Sequence, residues 1–182
     1  MPPSLSDPGG DGSTAAGVAR AQFRRVLGHV PTSVVAVTAM GADGVPHGMT
    51  VGSFTSVSLD PPLVGFLPAR ASTTFPRIRA AGRFCVNVLA TDQRDACHAF
   101  AAAAADRFAE LDWFPGPRGT PRLNGAIAWI DCVLKDVIDA GDHHFVLAEV
   151  AALEASARES TADSSPLIFF RGSYGGFMPL PG

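Results

Sequence analysis

The sequence predicts a mainly β fold, a closed or split β-barrel with peripheral helices. Three observations predict it. Short β-branched and apolar runs recur along most of the 182 residues, punctuated by Gly, Pro and Asp. Helical spacing is confined to a few short stretches, so the chain does not read as a regular alternation of strands and helices. No G-x-G-x-x-G follows the first strand, which removes the signature of a doubly wound dinucleotide fold. A barrel also avoids the unpaired edges that an open sheet of such apolar strands would expose.

Residues 1–15 are Pro, Gly, Ser and Asp without periodicity and read as a disordered arm. Residues 16–30 place Val18, Ala21, Phe23, Val26, Leu27 and Val30 at helical spacing, and Pro31 closes the helix. Residues 33–40 (SVVAVTAM) form a strand, and GADG after it reads as a hairpin turn because Gly and Asp tolerate left-handed backbone. Residues 46–59 (PHGMTVGSFTSVSL) read as one partly alternating strand, and residues 63–67 as another. Ser72-Thr73-Thr74 can cap a short helix reaching Ala81, with Pro76 tolerated in its first turn.

Residues 83–89 (RFCVNVL) are a strand. Residues 92–105 are a helix with Asp92 as cap and Ala96, Cys97, Phe100 and Ala104 on its apolar side. GPRGTPRLNG reads as a loop. Two long strands follow, residues 126–138 and 143–153, joined through DAGD, and a last one covers residues 167–171 before a Gly-rich tail. The expected organisation is an arm (1–15), one domain (16–178) and a tail (179–182).

Composition limits the function. With 14 Lys+Arg against 17 Asp+Glu, and Arg24-Arg25 the longest basic run, the chain lacks the positive footprint that nucleic-acid binding needs. Its apolar stretches are interrupted within about ten residues, short of the roughly 18 needed to span a membrane. Cys85, Cys97 and Cys132 are odd in number and widely spaced, which indicates neither a disulfide scaffold nor a compact zinc site. The N-terminus lacks the basic start and apolar stretch of a secretory signal, so a cytoplasmic protein is expected.

Two polar clusters interrupt this apolar sequence. Thr50-Val51-Gly52-Ser53-Phe54-Thr55-Ser56-Val57-Ser58 holds five hydroxyls in nine residues, and any that are buried need partners. A hydroxyl-rich exposed strand face would explain them, but they do not keep one parity. Gly52 marks close approach of a ligand or a second backbone, and a planar heterocycle fits both features. The second cluster, Arg70 to Thr74, lies where a helix N-terminus could hold a phosphate; simple capping explains it equally. Asn87 breaks a core strand and demands a partner, from protein or ligand. His143 and His144 point to opposite faces of a strand, so they do not chelate one metal.

Taken in order, FRRVLGHVPTSVVAVTA, GMTVGSFTSVSLDPPLVGF, the Ser72-Thr73-Thr74 turn, GRFCVNVLA, DRFAELDW, GTPRLNGAIAWIDC, GDHHFVLAEV and PLIFFRGSYGGF resemble the flavin reductase family, covering residues 20–177. These are FMN-binding, Greek-key split barrels, and the nearest likeness is to reductase components of two-component monooxygenases acting on aromatic rings. The resemblance implies that Met49, Thr50, Val51, Gly52, Ser53, Phe54 and Thr55 line the isoalloxazine. It implies that Ser72 and Thr73, with Arg70 nearby, hold the flavin phosphate, and that Cys85 and Asn87 border the ribityl chain. Arg107 and Phe108 would sit near the phosphate end, Asp142 and His143 match the GDH motif whose His approaches the nicotinamide, and Arg171 and Tyr174 close over the flavin. Ala148 and Pro68-Ala69 depart from the family's usual Gly and more polar residues.

The implied activity is hydride transfer from NADH, less so NADPH, to FMN or FAD. The low Lys+Arg content favours NADH, because a 2′-phosphate usually wants added positive charge. Such chemistry needs two rings held face to face at roughly 3–3.5 Å and donors near developing negative charge, more than it needs acid–base groups. The family also implies a homodimer and a transient partner monooxygenase that receives the reduced flavin. The alternatives are a split barrel that keeps its flavin tightly bound and acts on its own small substrate, and a non-enzymatic flavin- or haem-binding protein.

Overall fold

The computed structural model describes residues 19–101, 107–157 and 165–180. Helix α1 (Arg20–Leu27) comes first, then β1 (Thr32–Ser33), β2 (Val35–Met40), β3 (Pro46–Val51), β4 (Thr55–Leu59) and β5 (Pro62–Phe66). Helix α2 (Phe75–Ala81) and β6 (Arg83–Val88) follow, then α3 (Arg94–Ala101), β7 (Trp113–Pro115) and β8 (Pro121–Leu123). The long pair β9 (Ala128–Ala140) and β10 (His143–Ala155) precedes β11 (Ile168–Phe170) and β12 (Ser173–Gly175). The expected arm, the first residues of the first helix and the end of the 92–105 helix lie outside the described residues. No helix among the described residues is long and apolar enough to cross a membrane.

Seven strands form one antiparallel sheet in the order β3-β2-β6-β9-β10-β5-β4. Its two edge strands, β3 and β4, are consecutive in the chain and separated only by residues 52–54. In a flat sheet six strand spacings would set those edges about 29 Å apart. A linker spanning four Cα steps reaches at most about 14 Å. The sheet must therefore curl until its edges approach, yet no ladder joins β3 to β4. The result is a split barrel, as the sequence predicts.

This corrects the reading of residues 46–59 as one strand. The chain leaves β3 at Gly52 and re-enters the sheet at the opposite edge. Hydrophobic alternation cannot reveal the break because it is only partial on either side of Gly52. The GPRGTPRLNG loop is also corrected, since β8 lies within it and pairs with β7. Likewise Ser173–Gly175, in the Gly-rich stretch after the last expected strand, forms β12, which joins β11 and β1 in a three-stranded sheet. The predicted hairpin turn forms, with Gly44 at φ 76°.

The barrel interior is filled by Val35, Val37, Val64, Phe66, Phe84, Val86 and Val146, with Phe75 and Ile78 of α2 packed into the same cluster. Phe66 meets Phe75 and Phe84 edge to face. A second cluster on the opposite face of β2 joins Val34 and Ala36 to Ala96, Cys97 and Phe100 of α3. Strand β2 is thus covered on both faces, which explains why its sequence is continuously apolar instead of alternating. The side chain of Gln93 accepts the Ala90 N–H at the turn leading into α3.

Candidate functional site

Three segments meet at one rim of the barrel. The hydroxyl of Ser53, in the β3–β4 link, accepts the N–H of Leu67 at 2.9 Å and donates to its carbonyl at 3.4 Å. That ties the link to the chain leaving β5. The same chain is tied to the β9–β10 turn: His144 N donates to Pro68 O at 2.9 Å, Arg70 N donates to Asp142 O at 2.9 Å, and Ala69 forms an isolated bridge with His143. Pro68-Ala69, the departure noted in the sequence, supplies the backbone that makes this joint.

The two histidines divide as strand alternation requires. His144 is largely covered, its ring 5.5 Å from that of Phe75, with Nδ1 3.0 Å from Asp139 Oδ1. The more open His143 places Nδ1 2.7 Å from Asp142 Oδ1. The hydrogen bond and charge of His143 hold the Asp142 carboxyl below its ordinary pKa. With Nδ1 engaged, Nε2 is the ring nitrogen that remains to meet a ligand.

At the start of α2 the Ser72 hydroxyl accepts the N–H groups of Thr74 and Phe75 at 3.3 and 3.1 Å. Those two amides are therefore satisfied, and side chains offer further donors to a phosphate here. Arg107 supplies one: its Nη1 donates to Thr74 Oγ1 at 2.8 Å. Arg70 supplies another, with Nη1 3.5 Å from Asp139 Oδ2. Two guanidinium groups and the Ser72, Thr73 and Thr74 hydroxyls form a donor set suited to a phosphate dianion.

Several other expected site residues have buried side chains. Asn87 is fully buried: its amide nitrogen donates to Ala36 O and Thr38 Oγ1, and its oxygen accepts the N–H of Leu123 at 2.7 Å. Cys85 is equally buried, and burial pushes its thiol pKa well up. Both side chains are thus engaged within the protein, Asn87 by hydrogen bonds and Cys85 by packing with Ala126 and Trp129. Phe108 packs between Phe100 and Trp113 in the second core and is not at the rim. Val51 and Met49 pack with the barrel core, joined by the half-buried Phe54.

Gly52 is approached by protein: a Cβ there would lie 2.8 Å from Thr32 Oγ1. Thr50 is half-buried on β3 and Thr55 is exposed on β4, at opposite edges of the sheet. Arg171 has a left-handed φ of 51° and donates its N–H to Gly28 O. Tyr174 packs against His98 and Arg94 of α3. Tyr174 lies on β12 and Arg171 in the turn before it, and among the described residues none of their contacts joins them to the rim.

Sequence reasoning singled out Thr74 in its cluster but missed Asp139. Asp139 sat in a turn read only as a connector, and its importance depends on Arg70 and His144 reaching it from other segments. It also missed the interior ion network in which Arg122 bonds Asp131 and Glu154, both at 2.6 Å, and Thr120 donates to Asp131.

The flavin reductase like domain matches residues 27–178. Over 158 residues the chain is 51% identical to a flavin reductase from Pseudomonas putida, covering 87% of this chain and 90% of that protein. The chain belongs to the flavin reductase family. It is 42% identical over 176 residues to the reductase subunit of a flavin-dependent monooxygenase from Rhodococcus jostii, covering 96% of this chain and 87% of that one. Among solved structures it resembles nitrilotriacetate monooxygenase component B from Mycobacterium thermoresistibile, with a TM-score of 0.83, 39% identity and coverage of 89% and 90%. It also resembles the NADH:FAD oxidoreductase of Streptomyces globisporus in complex with NAD and FAD fragments, with a TM-score of 0.80, 36% identity and coverage of 88% and 94%. The flavin reductase described here is an NAD(P)H-dependent enzyme acting on FMN or FAD.

Proposed function

We propose that this reductase uses NADH in preference to NADPH and releases reduced flavin to a partner monooxygenase, working as a cytoplasmic homodimer. The observation that carries the site assignment is the convergence of Ser53, Arg70, Ser72, Asp142 and His143 on one rim. A flavin bound at this rim would supply the electrophilic ring that serves as hydride acceptor. The chain's part is positional: His143 orients the nicotinamide through Nε2, with Asp142 fixing its ring. Arg70, Arg107, Ser72 and Thr73 hold the flavin phosphate. Residues 49–55 contribute backbone and the Thr50 and Ser53 hydroxyls towards the polar edge of the isoalloxazine. Arg171 and Tyr174 reach the flavin only if the small sheet closes over it.

NADH is favoured because the chain holds only 14 Lys+Arg against 17 Asp+Glu, and a 2′-phosphate usually wants added positive charge. The homodimer is supported by apolar side chains left in solvent, among them Phe23 at 56%, Leu59 at 94% and Leu153 at 71% exposure. The partner is supported by the relatives, several of which are reductase components of flavin-dependent monooxygenases.

The test is the decay of NADH and NADPH absorbance at 340 nm with added FMN, FAD and riboflavin. NADH oxidation dependent on added flavin is expected, and the absence of decay with every combination would overturn the reading. Sedimentation should give twice the 18.9 kDa chain mass.

A further inference from the structure

We propose that Asp139 is an internal competitor for Arg70, a carboxylate that takes the guanidinium back when the flavin phosphate leaves and so keeps flavin exchangeable. This rests on the reading of Arg70 as a phosphate-holding residue.

The backbone of Arg70 is immobilised by its N–H bond to Asp142 O, so only its side chain is left to choose partners. Asp139 is anchored differently. Its Oδ1 is held by His144 Nδ1, and the His144 ring is in turn seated against Phe75 at the start of α2. The carboxylate therefore stays in place and presents Oδ2 to Arg70. The separation of 3.5 Å exceeds the roughly 2.7–2.9 Å of a tight charge-assisted bond. Both side chains are more than half exposed, at 52% and 68%. Such a pair is weak enough for a phosphate dianion to break, yet it still competes.

Asp139 thus lowers flavin affinity without occupying the ring site. A reductase that hands its product on benefits from this, because the departing phosphate leaves behind a guanidinium that is already paired. The effect acts on the phosphate alone, so riboflavin, which has none, serves as the internal control.

Binding of FMN and of riboflavin, followed by quenching of flavin fluorescence, tests the idea in the wild type, Asp139→Asn, Arg70→Ala and the double variant. Asp139→Asn retains an oxygen for His144 but no charge for Arg70. It should tighten FMN by about two- to fivefold, the range an exposed ion pair supports, and leave riboflavin unchanged. In the Arg70→Ala background the same substitution should do nothing. Unchanged or weaker FMN binding in Asp139→Asn overturns the proposal. So does an equal gain for riboflavin, or an equal gain without Arg70, which would mark general charge repulsion. If Arg70→Ala weakens FMN but Asp139→Asn does not tighten it, the competitor role alone falls. If Arg70→Ala leaves the FMN-to-riboflavin affinity ratio at its wild-type value, the phosphate assignment falls with it.

Discussion

Arg107 Nη1 donates to Thr74 Oγ1 at 2.8 Å, bringing together residues 33 positions apart. The contact orders a long cation beside the hydroxyl-rich turn before α2. Replacing Arg107 with Ala should weaken FMN binding by about tenfold, the low end for a hydrogen bond to a charged group. Riboflavin binding should be little changed. Fluorescence titration checks it, and equal losses for both ligands would assign Arg107 a purely structural role.

His143→Ala should raise the KM for NADH or lower kcat, with flavin affinity nearly unchanged. Unchanged steady-state kinetics would remove His143 from the site.

Asp142 carries a pH consequence. Because its folded pKa is lowered by His143, the interaction is present above the ordinary carboxylate pKa and is lost as pH falls through the lowered value. Asp142 therefore stays ionised across pH 6–8, and no acid limb in that window belongs to it. Asp142→Asn should lower kcat/KM for NADH by up to about fivefold at neutral pH, as for an exposed ion pair. Steady-state kinetics at neutral pH measure this, and an unchanged kcat/KM would remove Asp142 from the site.

Asn87→Leu should lower stability by about 3 kcal/mol or more, because it leaves buried backbone and hydroxyl partners unsatisfied. Urea unfolding measures this. The kcat of the folded fraction should be near wild type, since the Asn87 side chain bonds only to protein. A stable variant with lost flavin binding would restore the ligand role.

Arg122→Met should cost about 3–5 kcal/mol by leaving Asp131 charged and unpaired in the interior. Adding Asp131→Leu should recover much of that loss. A double variant no more stable than the single one would show that Thr120 and Glu154 carry the network.

Native thiols should not react with a disulfide reagent at pH 8. Cys85, Cys97 and Cys132 are buried, and burial raises the pKa of each, that of Cys132 to about 12. Three thiols should appear on unfolding, counted by absorbance.

Much of this was legible in the sequence because it is local. Gly44 in GADG, the apolar face of α3 and the run RFCVNVL each follow from backbone preference or side-chain period within about ten residues. The hydroxyl turn before α2 stood out for the same reason, whereas the GDH turn was marked by the resemblance to the flavin reductase family. Asn87 shows the limit: its sequence demands a partner, but Thr38 and Leu123 become that partner only when β2, β6 and β8 pack.

What the sequence by itself determined was the class of fold, most strand positions and the residue types that a flavin phosphate and a nicotinamide require. Only the tertiary structure decided that residues 46–59 belong to two opposite edges, that Cys85 and Asn87 serve the interior, and that Asp139 faces Arg70. The physical reason is barrel closure. Curling the sheet brings the rim segments together across long chain separations, and a linear pattern carries no record of which side chains then meet.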